Sequence, residues 1–140
     1  MITFQTQSVK LPRLRKNLLK RWLRSVARGY GREIGELAYI FCNDEEILEV
    51  NRQYLQHDYY TDVITFPYSE EKIVSGDIFI SIDTVRSNAI QFGTNSQDEL
   101  HRVIVHGLLH LCGLNDKGPG ERKTMEAAEN AALEQLAVID

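Results

Sequence analysis

A chain of 140 residues, 43% hydrophobic and 26% charged, has the composition of one ordinary globular domain rather than of a disordered or fibrous segment. It has no apolar run long enough to cross a bilayer, and its opening MITFQTQSVK lacks the basic-then-apolar order of a secretory signal. The two cysteines, Cys42 and Cys112, have neither CxxC nor disulfide-framework spacing, and the formal net charge of −4 argues, taken alone, against nucleic acid; a cytoplasmic protein is expected.

Residues 2–7 alternate around Ile2 and Phe4 and read as a short strand. Residues 12–28 read as a helix opened near Pro12 and closed by Gly29 and Gly31. Leu11, Leu14, Leu18, Trp22 and Val26 form its apolar stripe, widened by Leu19 and Leu23, which needs a sheet or another helix to cover it. The other side is basic. Lys10, Arg13, Arg15, Lys16, Lys20, Arg21, Arg24, Arg28 and Arg32 occur with no acidic residue among them, and all 20 acidic residues lie elsewhere in the chain. A locally positive field attracts phosphate even on a net acidic protein, although a solvated helix face balancing acidic surfaces elsewhere has the same composition.

Glu36 to Phe41 reads as the second strand, followed by a helix capped at Asn43 or Asp44 and carrying Ile47, Leu48, Asn51 and Leu55. Val63 to Phe66 is a strand stopped by Pro67. Ile78, Ile80 and Ile82 alternate after Gly76 as a further strand, with Ser81 or Asp83 capping a helix that ends at Gly93. Asp98 to Cys112 reads as a central helix ended by Gly113, and residues 121–137 as a last one, rich in Ala, Glu and Leu. About four strands and about five helices predict a single α/β (α+β) domain over residues 1–140, with a mixed sheet packed by helices.

The chemistry concentrates in HRVIVHGLLHLCGLNDK, residues 101–117. His106 and His110 stand four apart, so on a helix they lie roughly 40° apart in azimuth and about 6 Å apart along the axis, close enough for both imidazoles to meet one ion. Gly107, between them, leaves room for backbone or substrate to approach. Gly113 then turns the chain so that Asp116 folds back as a third ligand, giving H-x3-H-x5-D. Two imidazoles and a carboxylate leave an open fourth position, as in catalytic rather than structural zinc sites. Asn115 and Cys112 are weaker ligand candidates, and His101 misses the face of the pair. Glycine at 107, where HExxH zinc enzymes place their glutamate base, leaves peptide hydrolysis by that scheme without support.

These residues resemble a known family. The pattern His106-Gly107-Leu108-Leu109-His110-Leu111-Cys112-Gly113, completed by Leu114-Asn115-Asp116, is similar to the HGxLHLxGxDH signature of the YbeY family. Those proteins are single-strand-specific metallo-endoribonucleases of bacterial ribosomal RNA maturation. Asn51, Tyr54, the run Thr61-Asp62-Val63-Ile64-Thr65-Phe66-Pro67 and Gly76-Asp77-Ile78 match further family segments in order, so the resemblance covers nearly the whole chain.

The resemblance implies one zinc ion held by His106, His110 and Asp116, and a single-stranded or precursor ribosomal RNA substrate. It also implies action at the 3′ end of 16S ribosomal RNA, in maturation and ribosome quality control, with the ribosome or its small subunit as partner and neither membrane nor DNA. Two departures from the family matter. Asp116 stands where the family has its third histidine, and Leu55 where it has an arginine associated with RNA phosphate. Arg52, His57 and Arg86 are candidates to supply that function, Arg52 and His57 foremost as catalytic residues. Thr61, Asp62 and Thr65 are expected to border the cleft, with Asp62 and Asp77 capping or bonding loops. Tyr54, Tyr59, Tyr60 and Tyr68 are candidates for base stacking or for half-buried packing. Two other functions fit the same residues: a non-catalytic, metal-stabilised RNA-binding assembly factor, and a metal hydrolase of a small ester or amide.

Overall fold

Strong apolar alternation on three strands and one deeply buried helix organise the chain around a sheet. A computed structural model describes residues 1–55, 63–67, 72–114 and 118–139. In chain order the elements are β1 (Ile2–Thr6), α1 (Lys16–Gly29), β2 (Glu33–Cys42), α2 (Asp44–Leu55), β3 (Val63–Pro67), β4 (Ile73–Ser81), α3 (Ile82–Phe92), α4 (Ser96–Leu111) and α5 (Glu121–Ile139). The sheet order is β1-β2-β4-β3. β1, β2 and β4 run parallel, and β3 pairs antiparallel with β4 at the edge. This is the mixed four-stranded α/β architecture expected from the sequence.

The element ends follow local chemistry. Asn43 and Glu46 form a capping box at the start of α2: the Asn43 side chain accepts from Glu46 N–H at 2.8 Å, and Glu46 accepts from Asn43 N–H at 3.1 Å. The Ser81 hydroxyl accepts from Thr84 N–H, which ends β4 and makes Ile82 the first residue of α3 rather than a strand residue. Helix α1 begins at Lys16, four residues later than Pro12 predicts. The lead-in is not helical because Leu11 and Leu14 are drawn onto the core from an extended segment.

Period-two alternation sorts the sheet into two faces. Leu37, Tyr39, Phe41, Val74, Ile78 and Ile80 point into the main core, with Trp22, Leu19 and Leu23 of α1 and Ile104 and Leu108 of α4. Cys42, Ile64 and Phe79 point to the other face and pack against Ile47 and Val50 of α2. Two contacts seat α4 on the main-core face. The Tyr39 hydroxyl donates to the Ile104 carbonyl at 2.9 Å, and Gly107 lies directly over Ile78. Glycine at 107 is therefore explained by close packing of helix on strand rather than by access to an ion: a Cβ there would lie 2.8 Å from Ile78 Cγ2.

Alanine is favoured over glycine in a helix by about 1 kcal/mol, whereas forcing a methyl into a packed core costs about 1–3 kcal/mol. Gly107→Ala is expected to lower the stability measured by urea unfolding by about 1 kcal/mol. Combined with Ile78→Ala it should cost less than the sum of the two single changes. A stabilised Gly107→Ala protein would show that the contact is slack.

Candidate metal centre

His106 and His110 lie on one side of α4, each half-buried. Their ring centroids are 4.5 Å apart with planes at 85°, and the two Nε2 atoms face each other at 3.0 Å. What holds the rings in place is attached to their other nitrogens. Gly113 adopts φ of 101°, a left-handed conformation that suits glycine, and the chain turns so that the Leu114 carbonyl meets His110 Nδ1 at 3.0 Å. The Glu129 carboxylate, on α5, meets His106 Nδ1 at 2.5 Å. Arg102 donates to the other Glu129 oxygen at 2.8 Å and to the Asn130 side-chain oxygen at 2.7 Å.

These partners fix where the imidazole hydrogens sit. A backbone carbonyl only accepts, so His110 Nδ1 carries a hydrogen. Burial pushes the Glu129 carboxyl up, but hydrogen bonds from His106 and Arg102 outweigh it and hold the group below the usual carboxylate range. Glu129 is thus an ionised acceptor, and His106 Nδ1 also donates. In their neutral forms both rings then present Nε2 lone pairs to one another.

Lone pairs at 3.0 Å require a cation between them, either a proton shared by the pair or a metal ion. Two imidazole nitrogens on one tetrahedral zinc ion would be separated by about 3.3 Å at ordinary Zn–N lengths of about 2.0–2.1 Å. An outer carboxylate or carbonyl on each Nδ1 is the usual support for metal-ligating histidines. The donor set fits zinc.

Among the described residues, no third His, Cys, Asp or Glu joins the pair. Asp116, the expected third ligand, and Asn115 lie outside the described residues, as do His57, Asp58, Tyr59, Tyr60, Thr61, Asp62 and Tyr68. Cys112 is buried in the main core, away from the ligand role considered for it. His101 stacks edge-on to Trp22 at 6.2 Å, on the side of α4 turned from the pair. Arg52 is exposed on α2, whose buried side packs the opposite sheet face, and Arg86 is exposed on α3. Thr65 pairs in register with Ile78, beneath α4. A cleft of about 600 Å³ opens beside His106 between α3, α4 and α5, with Phe92, Arg102, Arg122 and Glu129 among its walls.

Glu129 was not foreseen from the sequence, because nothing local separates it from the other glutamates of an Ala/Glu-rich helix. It lies on the buried stripe of α5 with Met125, Ala132 and Leu136, and that signal depends on knowing which side of α5 packs.

Residues 1–137 match the family model described as Endoribonuclease YbeY. The chain belongs to the YbeY family. Relatives named Endoribonuclease YbeY include one from Bacteroides thetaiotaomicron, 64% identical over 94% of this chain and 96% of its own. Another, from Phocaeicola vulgatus, is 62% identical over 99% of this chain and 100% of its own. The solution structure of a Thermotoga maritima protein superposes with a TM-score of 0.67 at 29% identity, covering 97% of this chain and 89% of that one. The family model spans the whole helical pair and its α5 partner.

Replacing Glu129 by Gln removes the ionised acceptor behind His106 without removing its shape. Zinc affinity in a chelator-competition titration should fall about 10–100-fold, as is usual for the partner behind a metal-bound histidine, with the fold retained. Unchanged affinity would detach Glu129 from the metal centre. The same carboxyl gives a pH signature. Its folded-state pKa lies below the usual 4.5, so its stabilising contribution is complete above that value and fades as pH falls through the lower folded value. Acid unfolding should therefore cost the metal-free wild type more stability than it costs Glu129→Gln.

Proposed function

We infer that the chain is a zinc-dependent endoribonuclease that cuts single-stranded regions of precursor ribosomal RNA. The site of action is the 3′ end of 16S ribosomal RNA, in the maturation and quality control of small ribosomal subunits in the cytoplasm. Membership of the YbeY family supports the RNA-cleaving activity. The observation that carries the metal requirement is the facing pair of Nε2 atoms, each backed by an acceptor on its other nitrogen.

His106, His110 and Asp116 would hold one zinc ion. When bound, zinc supplies a Lewis acid that polarises phosphoryl oxygen and acidifies water near neutral pH. The chain's own residues do the rest. Glu129 and the Leu114 carbonyl keep both imidazoles in the tautomer whose Nε2 is a ligand, and Arg102 keeps Glu129 ionised and in place. Asp116 would make the centre one charge less positive than a three-histidine one. Arg52 would contribute positive charge toward phosphate, and His57 would move a proton during cleavage, as imidazoles can near neutral pH.

A second reading has one specific observation in its favour. Leu55 stands where the resembled family carries an arginine, and leucine cannot donate to phosphate. In that reading the ion staples the loop after Gly113, and the protein assists ribosome assembly without cutting.

Cleavage of a precursor RNA with a defined single-stranded 3′ extension separates the two. The zinc-loaded protein should cut it, His110→Ala should fall to the background of RNA alone while unfolding cooperatively, and Asp116→His should keep more activity than Asp116→Ala. Equal activity in His110→Ala would sink the metal-dependent enzyme. Wild-type activity no higher than that variant, with zinc restored and RNA bound, would favour the assembly factor.

A further inference from the structure

Helix α1 is built against its own electrostatics. Arg15 occupies the N-cap without a side-chain cap bond, and the first turn has no acidic residue, so cations sit at the positive end of the helix dipole. Lys16, Lys20, Arg24 and Arg28 then follow at i→i+4 spacing, a row of like charges about 6 Å apart along the axis, each neighbouring pair repelling by some tenths of a kcal/mol. Arg21 flanks the row, and Arg13 and Lys10 extend it before the helix begins.

Among the described residues, Arg28 is paired with Glu33 at 3.4 Å, and no carboxylate lies within ion-pair distance of Lys16, Lys20, Arg21 or Arg24. What keeps α1 helical is its other side, where Leu18, Leu19, Trp22, Leu23, Val26 and Ala27 are buried and the Trp22 indole donates to the Ala132 carbonyl at 2.7 Å. The position of this charge is as informative as its sign. α1 flanks α4 along the side of Gln97 and His101: Gln97 donates to the Arg13 carbonyl, and His101 meets Trp22. His101 lies about 140° around α4 from His106. α1 therefore lies on the side of α4 turned from the histidine pair, and only beyond its C-terminal end does a cation, Arg32, come up to the Gly113 turn.

We propose that the row Lys16–Lys20–Arg24, exposed at Lys16 and half-buried at Lys20 and Arg24, together with the exposed Arg21 and Arg13, is a second RNA-binding surface beside the metal centre, which grips the phosphate backbone of a flanking part of a long RNA. The proposal rests on the RNA-directed function inferred above and assigns to α1 a docking role in it. A chain of net charge −4 gains nothing in solubility by gathering its cations on one helix, whereas a continuous polyanion is matched by one charge per helical turn. Lysine and arginine on the open side of a helix meet phosphate oxygens first, so the surface binds by charge and position.

The test is a triple variant, Lys16→Gln, Lys20→Gln and Arg24→Gln. It removes repulsion and keeps good helix formers, so unfolding stability should hold or rise. Two RNAs are compared: a long precursor fragment, and a short single strand spanning only the cleavage site. Binding of the long RNA at low salt should weaken at least about tenfold, and its log–log salt slope should become shallower by about 2, from about 0.7 per lost phosphate contact. Binding and cleavage of the short strand should be unchanged within twofold.

Equal loss on both RNAs would overturn the proposal by placing the row in the cleft. So would an unchanged slope on the long RNA, or loss of binding to anionic-lipid vesicles with RNA binding intact. If the wild type cuts neither RNA, the cleavage reading fails while the slope still decides the docking surface.

Discussion

Two imidazole nitrogens held 3.0 Å apart, with their ring hydrogens committed elsewhere, form the constraint on which the rest of the site depends. Neutral histidines in that arrangement repel, so the fold must hold the pair together and a cation must reward it. The fold does so from three directions. α4 sets the four-residue spacing, the Gly113 turn delivers the Leu114 carbonyl, and α5 delivers Glu129. Arg102 in turn helps hold down a carboxyl that burial alone would push up. The site is thus a coupling of α4 and α5, not a property of the histidine helix alone.

Below that coupling lies the seating of α4. Removing the side chain at 107 lets the helix approach β4 until its backbone rests on Ile78, and the buried Tyr39 hydroxyl reaches up to the Ile104 carbonyl. Both contacts lie within one turn of His106. A glycine that in sequence looks placed for substrate access works from beneath, fixing the height of the helix over the sheet. The same close approach leaves the opposite side of α4 to α1, so that apolar α1 residues complete the core while its cations occupy the helix's other side.

Much of this was readable in advance because it depends on local patterns. Strands with period-two alternation, helix ends with Asn43, Ser81 and Gly93, and the H-x3-H spacing each declare themselves within a few residues. What was hidden depends on long-range packing. The extended lead-in through Leu11 and Leu14 reflects the pull of a core whose position the lead-in itself does not encode. Glu129 stands 23 residues from His106 and gains meaning only once α5 lies against α4. Family resemblance implies the RNA substrate, which spacing alone does not establish, whereas Asp116 as third ligand is already suggested by the turn at Gly113 and the H-x3-H-x5-D spacing.

The central claim is that the facing nitrogens are two-thirds of a zinc centre completed by Asp116. Anomalous scattering at the zinc edge from crystals of the zinc-loaded protein tests it most directly. The account predicts one peak of near-full occupancy, with His106 Nε2, His110 Nε2 and an Asp116 carboxylate oxygen each about 2.0–2.2 Å from it. A peak ligated through either Nδ1, a third protein ligand other than Asp116, or no peak at the pair would contradict it.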